Sequence, residues 1–243
     1  MTTNRSTAAR LGRRLLVAVA LLCAVSVLPS HGAPLTVSAT NLTVFHTCVL
    51  SGISGSSTSS FDSFVNQANA TQTNGTGTTM TVNTASGSKN TRAYVQFDLT
   101  TCTPTIPSTA TIRTAMLRLY ITQVPNACLT QDVFAATAAW TEAAISWSNQ
   151  PFGTTSNNPP SAQATASMVA GTGCAANASN NAYVTGWNVT SDVSKFVAGT
   201  ATNHGWMIRD DVEDSSTAHS STYAAREGNN AAHAPQLVID YTT

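Results

Sequence analysis

Apolar and polar side chains alternate with a period of two along several stretches of this chain. In Arg92–Leu99, Ala93, Val95, Phe97 and Leu99 share one face, while Arg92, Tyr94, Gln96 and Asp98 share the other. In Ala115–Thr122, Ala115, Leu117, Leu119 and Ile121 oppose Met116, Arg118, Tyr120 and Thr122. Leu237, Ile239 and Tyr241 alternate with Val238 and Asp240. Successive side chains of a strand point to opposite faces, so this pattern predicts antiparallel strands with one apolar face. Further strands are expected at Leu42–Phe45, Thr79–Thr84, Gln131–Ala135, Ile145–Trp147, Ala182–Val189 and Trp206–Arg209, separated by Gly, Pro, Asn and Ser clusters. One short helix fits Ser191–Ala198, with Thr190 as N-cap and Gly199 ending it. Ser51–Ser60, Asn66–Gly77, Ser156–Ser167 and Ala170–Asn181 read as loops, the first two too polar to bury apolar surface. Many strands with little helix predict an all-β sandwich or barrel, and a jelly-roll-like antiparallel β-sandwich is expected. No internal repeat, coiled coil or second domain is found along the 243 residues.

The N-terminus changes where this fold would sit. Arg5, Arg10, Arg13 and Arg14 precede the apolar run 15–27, and small residues follow. That is the order of a cleaved secretory signal, residues 1–33, with cleavage as late as Ala39 as an alternative. The apolar run falls short of the roughly 20 residues that span a bilayer, so neither a span nor a stable membrane anchor is expected. A secreted, extracellular, monomeric protein is the expectation. Removing the leader takes four of the eleven basic residues and leaves seven against eleven acids, about four net negative charges. That balance argues against a nucleic-acid partner, which needs a basic surface. Only 9% of the chain is charged, against roughly 25% in an ordinary soluble domain, so hydroxyl and amide groups must make up much of its surface.

Four cysteines remain after the leader: Cys48, Cys102, Cys128 and Cys174. An even count in an exported chain reads as two disulfides, with three possible pairings. Cys102 ends one strand and Cys128 follows the next, which favours Cys102–Cys128 and leaves Cys48–Cys174. No CxxC or HxxxH spacing supports zinc.

The segment Trp140-Thr-Glu-Ala-Ala-Ile-Ser-Trp147-Ser-Asn-Gln-Pro151 holds two of only four tryptophans. It lies among Arg92–Leu99, Ala115–Tyr120, Trp187–Val193, His204–Arg209 and Pro235–Tyr241. In this order and spacing the set resembles the DNRLRE domain, also called carbohydrate-binding module family 96, over about Thr43 to Tyr241. The resemblance implies a β-sandwich, non-catalytic carbohydrate binding and a polysaccharide partner. Some members are linked to acidic polysaccharides such as alginate. The acidic balance of this chain departs from that and points to a neutral or weakly charged glycan.

Sugar binding would rest on aromatic faces that stack on pyranose rings and on amides and guanidinium groups that reach hydroxyls. Trp140, Trp147, Trp187, Trp206, Tyr183 and Tyr223 are aromatic candidates, each set against an ordinary core role. The favoured platform is Arg92, Tyr94, Gln96, Arg118 and Tyr120, provided that their strands are neighbours. Arg226, in an Arg-Glu pair that matches the family's C-terminal element, could join it. Asp210, Asp211, Glu213 and Asp214 offer enough oxygens for calcium, a solvated loop being the alternative. Glycoside hydrolysis needs two carboxylates, and Glu142 between two tryptophans is the acid to consider. An ion pair with an arginine, or a turn cap, is the simpler role for it. A cross-strand pair with Arg92 or Arg118 is likewise expected for Asp98. A structural or adhesive role without a sugar site, and polysaccharide cleavage, are the rival functions. Neither nucleotide-binding nor hydrolase motifs occur. Sequons lie at Asn41, Asn69, Asn74, Asn177 and Asn188.

Overall fold

The structure is a computed structural model that describes residues 43–52, 60–228 and 230–243. The expected leader, its cleavage points, the Asn41 sequon and most of the expected Ser51–Ser60 loop lie outside the described residues. Leu42–Thr243 forms one compact unit.

Thirteen strands and one helix are described: β1 (Phe45–Ser51), β2 (Ser60–Asn66), β3 (Thr79–Thr84), β4 (Thr91–Phe97), β5 (Thr111–Arg118), β6 (Tyr120–Gln123), β7 (Leu129–Ala135), β8 (Ala166–Ala170), β9 (Ala182–Tyr183), β10 (Trp187–Asn188), α1 (Thr190–Val197), β11 (Trp206–Asp210), β12 (His219–Ala224) and β13 (Gln236–Thr242). All pairings are antiparallel. Four strands form one sheet, in the order β1-β13-β5-β10. Nine form the other, in the order β8-β7-β11-β4-β3-β12-β6-β9, with β2 paired along β4. This is the expected antiparallel sandwich, with sheets of unequal size. The main core lies between them and joins Leu50, Leu117, Leu237 and Ile239 to Val82, Val95, Trp206 and Ile208.

The period of two placed these inward residues correctly, but it did not foresee a second core. Val65, Tyr94, Phe134 and Met207 point away from the small sheet and pack on Ile145 and Trp147. The long connection between β7 and β8 lies over that outer face. As a result β4 is buried on both sides, and its polar residues Arg92 and Tyr94 are fully inside.

Several expected elements differ. Ile145–Trp147 forms no strand and runs from an irregular stretch into a turn, because it belongs to that covering connection. Ala115–Thr122 breaks at Leu119, where the chain passes from the small sheet to the large one. Ala182–Val189 divides into two short strands on different sheets for the same reason. The strands β2, β8 and β12 were not read from the sequence. β2 lacks alternation because it is buried on both faces, and β12 is rich in Ser and Thr. The helix begins one residue early, and Thr190 sits within it. Asn188 Oδ1 accepts from the Thr190 amide (3.1 Å) and hydroxyl (2.6 Å), while that hydroxyl accepts from the Ala115 amide at 2.8 Å. Gly199 follows the helix with φ +71°, where lack of a Cβ makes the left-handed turn easy.

Two disulfides form, with pairings other than those expected. They are Cys48–Cys102, with Cα atoms 5.7 Å apart, and Cys128–Cys174, at 4.9 Å. The expectation paired Cys102 with Cys128 as ends of successive strands. Instead Cys102 follows β4 while Cys128 lies between β6 and β7, and in the large sheet β11 separates β4 from β7 while β3 and β12 separate β4 from β6. Cys102 meets the edge strand β1, and Cys128 meets the loop after β8 because Leu129 pairs with Ala170.

Candidate functional site

The Trp140–Pro151 segment is a wall fixed from three sides. Ala144 and Ile145 donate backbone N–H groups to Thr141 O at 3.1 and 2.9 Å, closing a first turn. Asn149 closes a second, its Oδ1 accepting from the Ser146 amide at 2.7 Å. The Ser148 amide donates to Ala70 O at 2.9 Å, which ties the wall to the loop after β2. Gly75 of that loop passes so close that a Cβ there would lie 2.1 Å from Glu142 O. Ile145 and Trp147 point into the outer core, whereas Trp140 stays half-buried. Its indole N–H donates to His204 O at 2.8 Å, and the Tyr94 ring meets it edge-on at 5.6 Å. Those contacts set the plane of the Trp140 ring.

Beside this ring lies a cleft of about 390 Å³ lined by Phe61, Gln96, Trp140, Thr141, Glu142 and Ala143. A second of about 390 Å³ shares Phe61 and Gln96 and reaches Asp98, Thr100 and Asn203. A third of about 230 Å³ lies along Trp140 and Thr141 toward Asn149. The three adjoin as a groove that mixes aromatic surface with amide, hydroxyl and carboxylate groups. Each large cleft falls in the range of about 300–1,000 Å³ usual for ligand sites. Gln96 is held by its Nε2 on Asn203 O at 2.9 Å.

Behind the cleft, Arg226 lies among carboxylates. Glu142 accepts from Arg226 Nε (2.8 Å) and Nη2 (2.7 Å), and its Oε1 also accepts from the Asp62 amide at 3.0 Å. Glu227 lies 2.9 Å from the same Nε, and Nη1 donates to Ser60 O at 2.9 Å. Asp62 Oδ2 accepts from the Arg226 amide at 2.9 Å. Oxygens of Asp62, Glu142 and Glu227 converge within 4.8 Å. Burial, reinforced by the two neighbouring carboxylates, pushes the Asp62 carboxyl up to about 8, so it is largely protonated at neutral pH. Burial and Glu142 also raise Glu227. Arg226 occupies the position that a metal would need, and its charge offsets only one of the surrounding acids.

The expected platform does not assemble. Arg92 is 0% exposed and holds Glu213 through Nε and Nη2, both at 2.7 Å. Its remaining N–H groups reach Gln150, Gly153 O and Thr155 O, and its guanidinium lies 4.5 Å from the Trp147 ring centroid. Tyr94 donates its hydroxyl to Gln150 at 2.9 Å. Both serve the outer core. Arg118 is on β5 in the other sheet. It lies near Tyr183, while Tyr120 stacks on His233 at 3.7 Å. Of the six expected ligand-binding residues, Gln96 lines the groove and Arg226 braces it from behind.

The proposed calcium ligands do not gather as a set either, although the Asp210 and Asp211 side chains meet each other. Glu213 is consumed by Arg92, Asp210 Oδ1 accepts from the Val212 amide, and Asp214 Oδ1 accepts from Asn90 Nδ2. Among the described residues Asp210, Asp211, Glu213 and Asp214 form no converging set. Asp98 makes no ion pair with Arg92 or Arg118 and caps a short turn instead, accepting from the Thr100 amide at 2.9 Å. Glu142 does form the ion pair expected of it, with Arg226. Trp147, Trp187, Trp206 and Tyr223 are core. Phe61, Thr141 and Asn203 escaped sequence reasoning. Phe61 lies on an unread strand, and Asn203 on a loop without periodicity.

No curated protein matches the chain. The sequence model of carbohydrate-binding module family 96 matches residues 54–241. That span covers the groove and every described strand except β1 and the last residue of β13. Its match over more than half of the residues agrees with an all-β body that carries a groove walled by a fixed aromatic ring, and the chain therefore belongs to carbohydrate-binding module family 96.

Proposed function

We propose that this chain is exported through residues 1–33 and, as a monomeric module, holds an extracellular polysaccharide along the Trp140 groove without cleaving it. The observation that carries this is Trp140, the tryptophan that is neither core nor loose. A ring held by a hydrogen bond to His204 O loses little freedom on stacking against a sugar. Thr141, Gln96 and Asn203 stand within the same groove to meet hydroxyls. Two disulfides, and the lack of any helix among the described residues long and apolar enough to cross a membrane, agree with an extracellular setting.

Cleavage is disfavoured by the state of the acids. Both Glu142 oxygens are bound by Arg226, and Asp62 is 1% exposed. Hydrolysis needs two carboxylates that reach opposite sides of a glycosidic bond.

A glycan array followed by titration calorimetry tests the reading. Trp140→Ala should weaken the best ligand at least about tenfold, or ~1.4 kcal/mol. Thr141→Trp, at an exposed position, should block the cleft without touching the core. Full affinity in both folded variants would place binding elsewhere. Silence across the array would favour a structural or adhesive role.

A further inference from the structure

The groove has a charge character of its own. Among the described residues its lining includes two acids, Glu142 and Asp98, and no lysine, arginine or histidine. Arg226 is the cation closest behind it. Its side chain is 12% exposed, and Nε, Nη1 and Nη2 are all engaged with Glu142, Glu227 or Ser60 O. Its Nε–Nη2 edge is closed by Glu142. Arg92, the other arginine near the Trp segment, is fully buried on Glu213. Asp98 binds the Thr100 amide and hydroxyl through Oδ1, at 2.9 and 2.6 Å, and its Oδ2 has no hydrogen-bond donor among the described residues. Arg226 offsets Glu142, so an incoming anion would meet Asp98, which no described cation pairs. An ammonium or a hydroxyl would meet Asp98 Oδ2 as an acceptor.

We infer that the groove selects glycans without negative charge, neutral hexose chains and, more tightly, chains of amino sugars, and that it rejects polyuronates. This rests on the groove being the glycan site. Like-charge juxtaposition discriminates against wrong partners, as in other charged interfaces. A ligand carboxylate displaced from water into the cleft would lose hydration beside Asp98, with no arginine among the described lining residues to receive it.

The test uses the protein spanning residues 43–243 against hexamers of three kinds: neutral gluco- and manno-oligosaccharides, glucosamine oligomers, and uronates of the alginate and polygalacturonate types. At low salt the uronates should bind at least about tenfold more weakly than the best neutral hexamer, and glucosamine oligomers at least as tightly as it. Raising salt shortens the screening length from about 30 Å at 0.01 M to about 3 Å at 1 M, so both differences should shrink. Asp98→Asn keeps a cap acceptor for Thr100 and removes one charge. It should narrow the neutral-to-uronate ratio severalfold. A uronate bound as tightly as any neutral hexamer, and lost in Trp140→Ala, overturns the charge inference while leaving the groove in place. Binding of any class that survives both Trp140→Ala and Thr141→Trp overturns the groove reading and takes the inference with it.

Discussion

Replacing Asp62 by Asn should stabilise the protein at neutral pH and change how its stability depends on pH. Asp62 is 1% exposed, and one of its oxygens accepts from the Arg226 amide at 2.9 Å. Burial is the largest influence on it and lifts its carboxyl from 3.8 to about 8, with Glu227 and Glu142 adding to the rise. The folded chain therefore retains a proton that the unfolded chain releases. A folded value raised above the unfolded one gives stability that is complete below about pH 4. That stability is lost progressively up to about pH 8, at ~1.4 kcal/mol per pH unit. Between pH 5 and pH 7.5 the loss is about 3 kcal/mol, a large share of the 5–15 kcal/mol typical of a domain. Asn has the shape of the neutral acid and keeps an acceptor for the Arg226 amide, yet it does not titrate. Urea unfolding of both proteins at pH 5 and pH 7.5, disulfides intact, measures the difference. The variant's advantage should grow by about 3 kcal/mol across that interval. Parallel stability profiles for the two proteins would refute the buried, protonated Asp62.

Two further outcomes are expected. Peptide mapping without reduction should recover Cys48 with Cys102 and Cys128 with Cys174, and replacing the first pair by Ser should cost about 4 kcal/mol in thermal unfolding, given its separation of 54 residues. Glu213→Gln leaves the fully buried Arg92 guanidinium without its counter-charge and should destabilise by about 3–5 kcal/mol, whereas a surface change such as Lys89→Gln should cost almost nothing.

Much of the fold was legible because one inward face is enough to register a period of two. Ala93, Val95 and Phe97, and likewise Leu237, Ile239 and Tyr241, read as core and are core. What alternation cannot express is the cover on the far side. Arg92 and Tyr94 stand on the polar phase of β4, so they read as a solvent-facing platform. They are buried because a connection that places Gln150 58 and 56 residues further along the chain folds over them. The same connection was conspicuous for its tryptophans, and so the wall of the groove could be picked out while its direction could not. Phe61 and Asn203 carry no local signature. They become neighbours of Trp140 through β2 pairing on β4 and the loop before β11. The disulfide pairing failed on a related point, since sequence adjacency does not tell which strands lie side by side.

The bolts that hold the Trp140 wall and the surface that it shows are different atoms. The bolts are Ala70 O, His204 O and the Arg226 guanidinium, all facing inward. Thr141, Ala143 and Thr100 face the groove, and no other side chain relies on theirs for a hydrogen bond, apart from the Thr100 hydroxyl on its own cap. A library confined to those three positions would therefore explore new sugar preferences on an unaltered chassis, which makes this module a scaffold for engineered lectins.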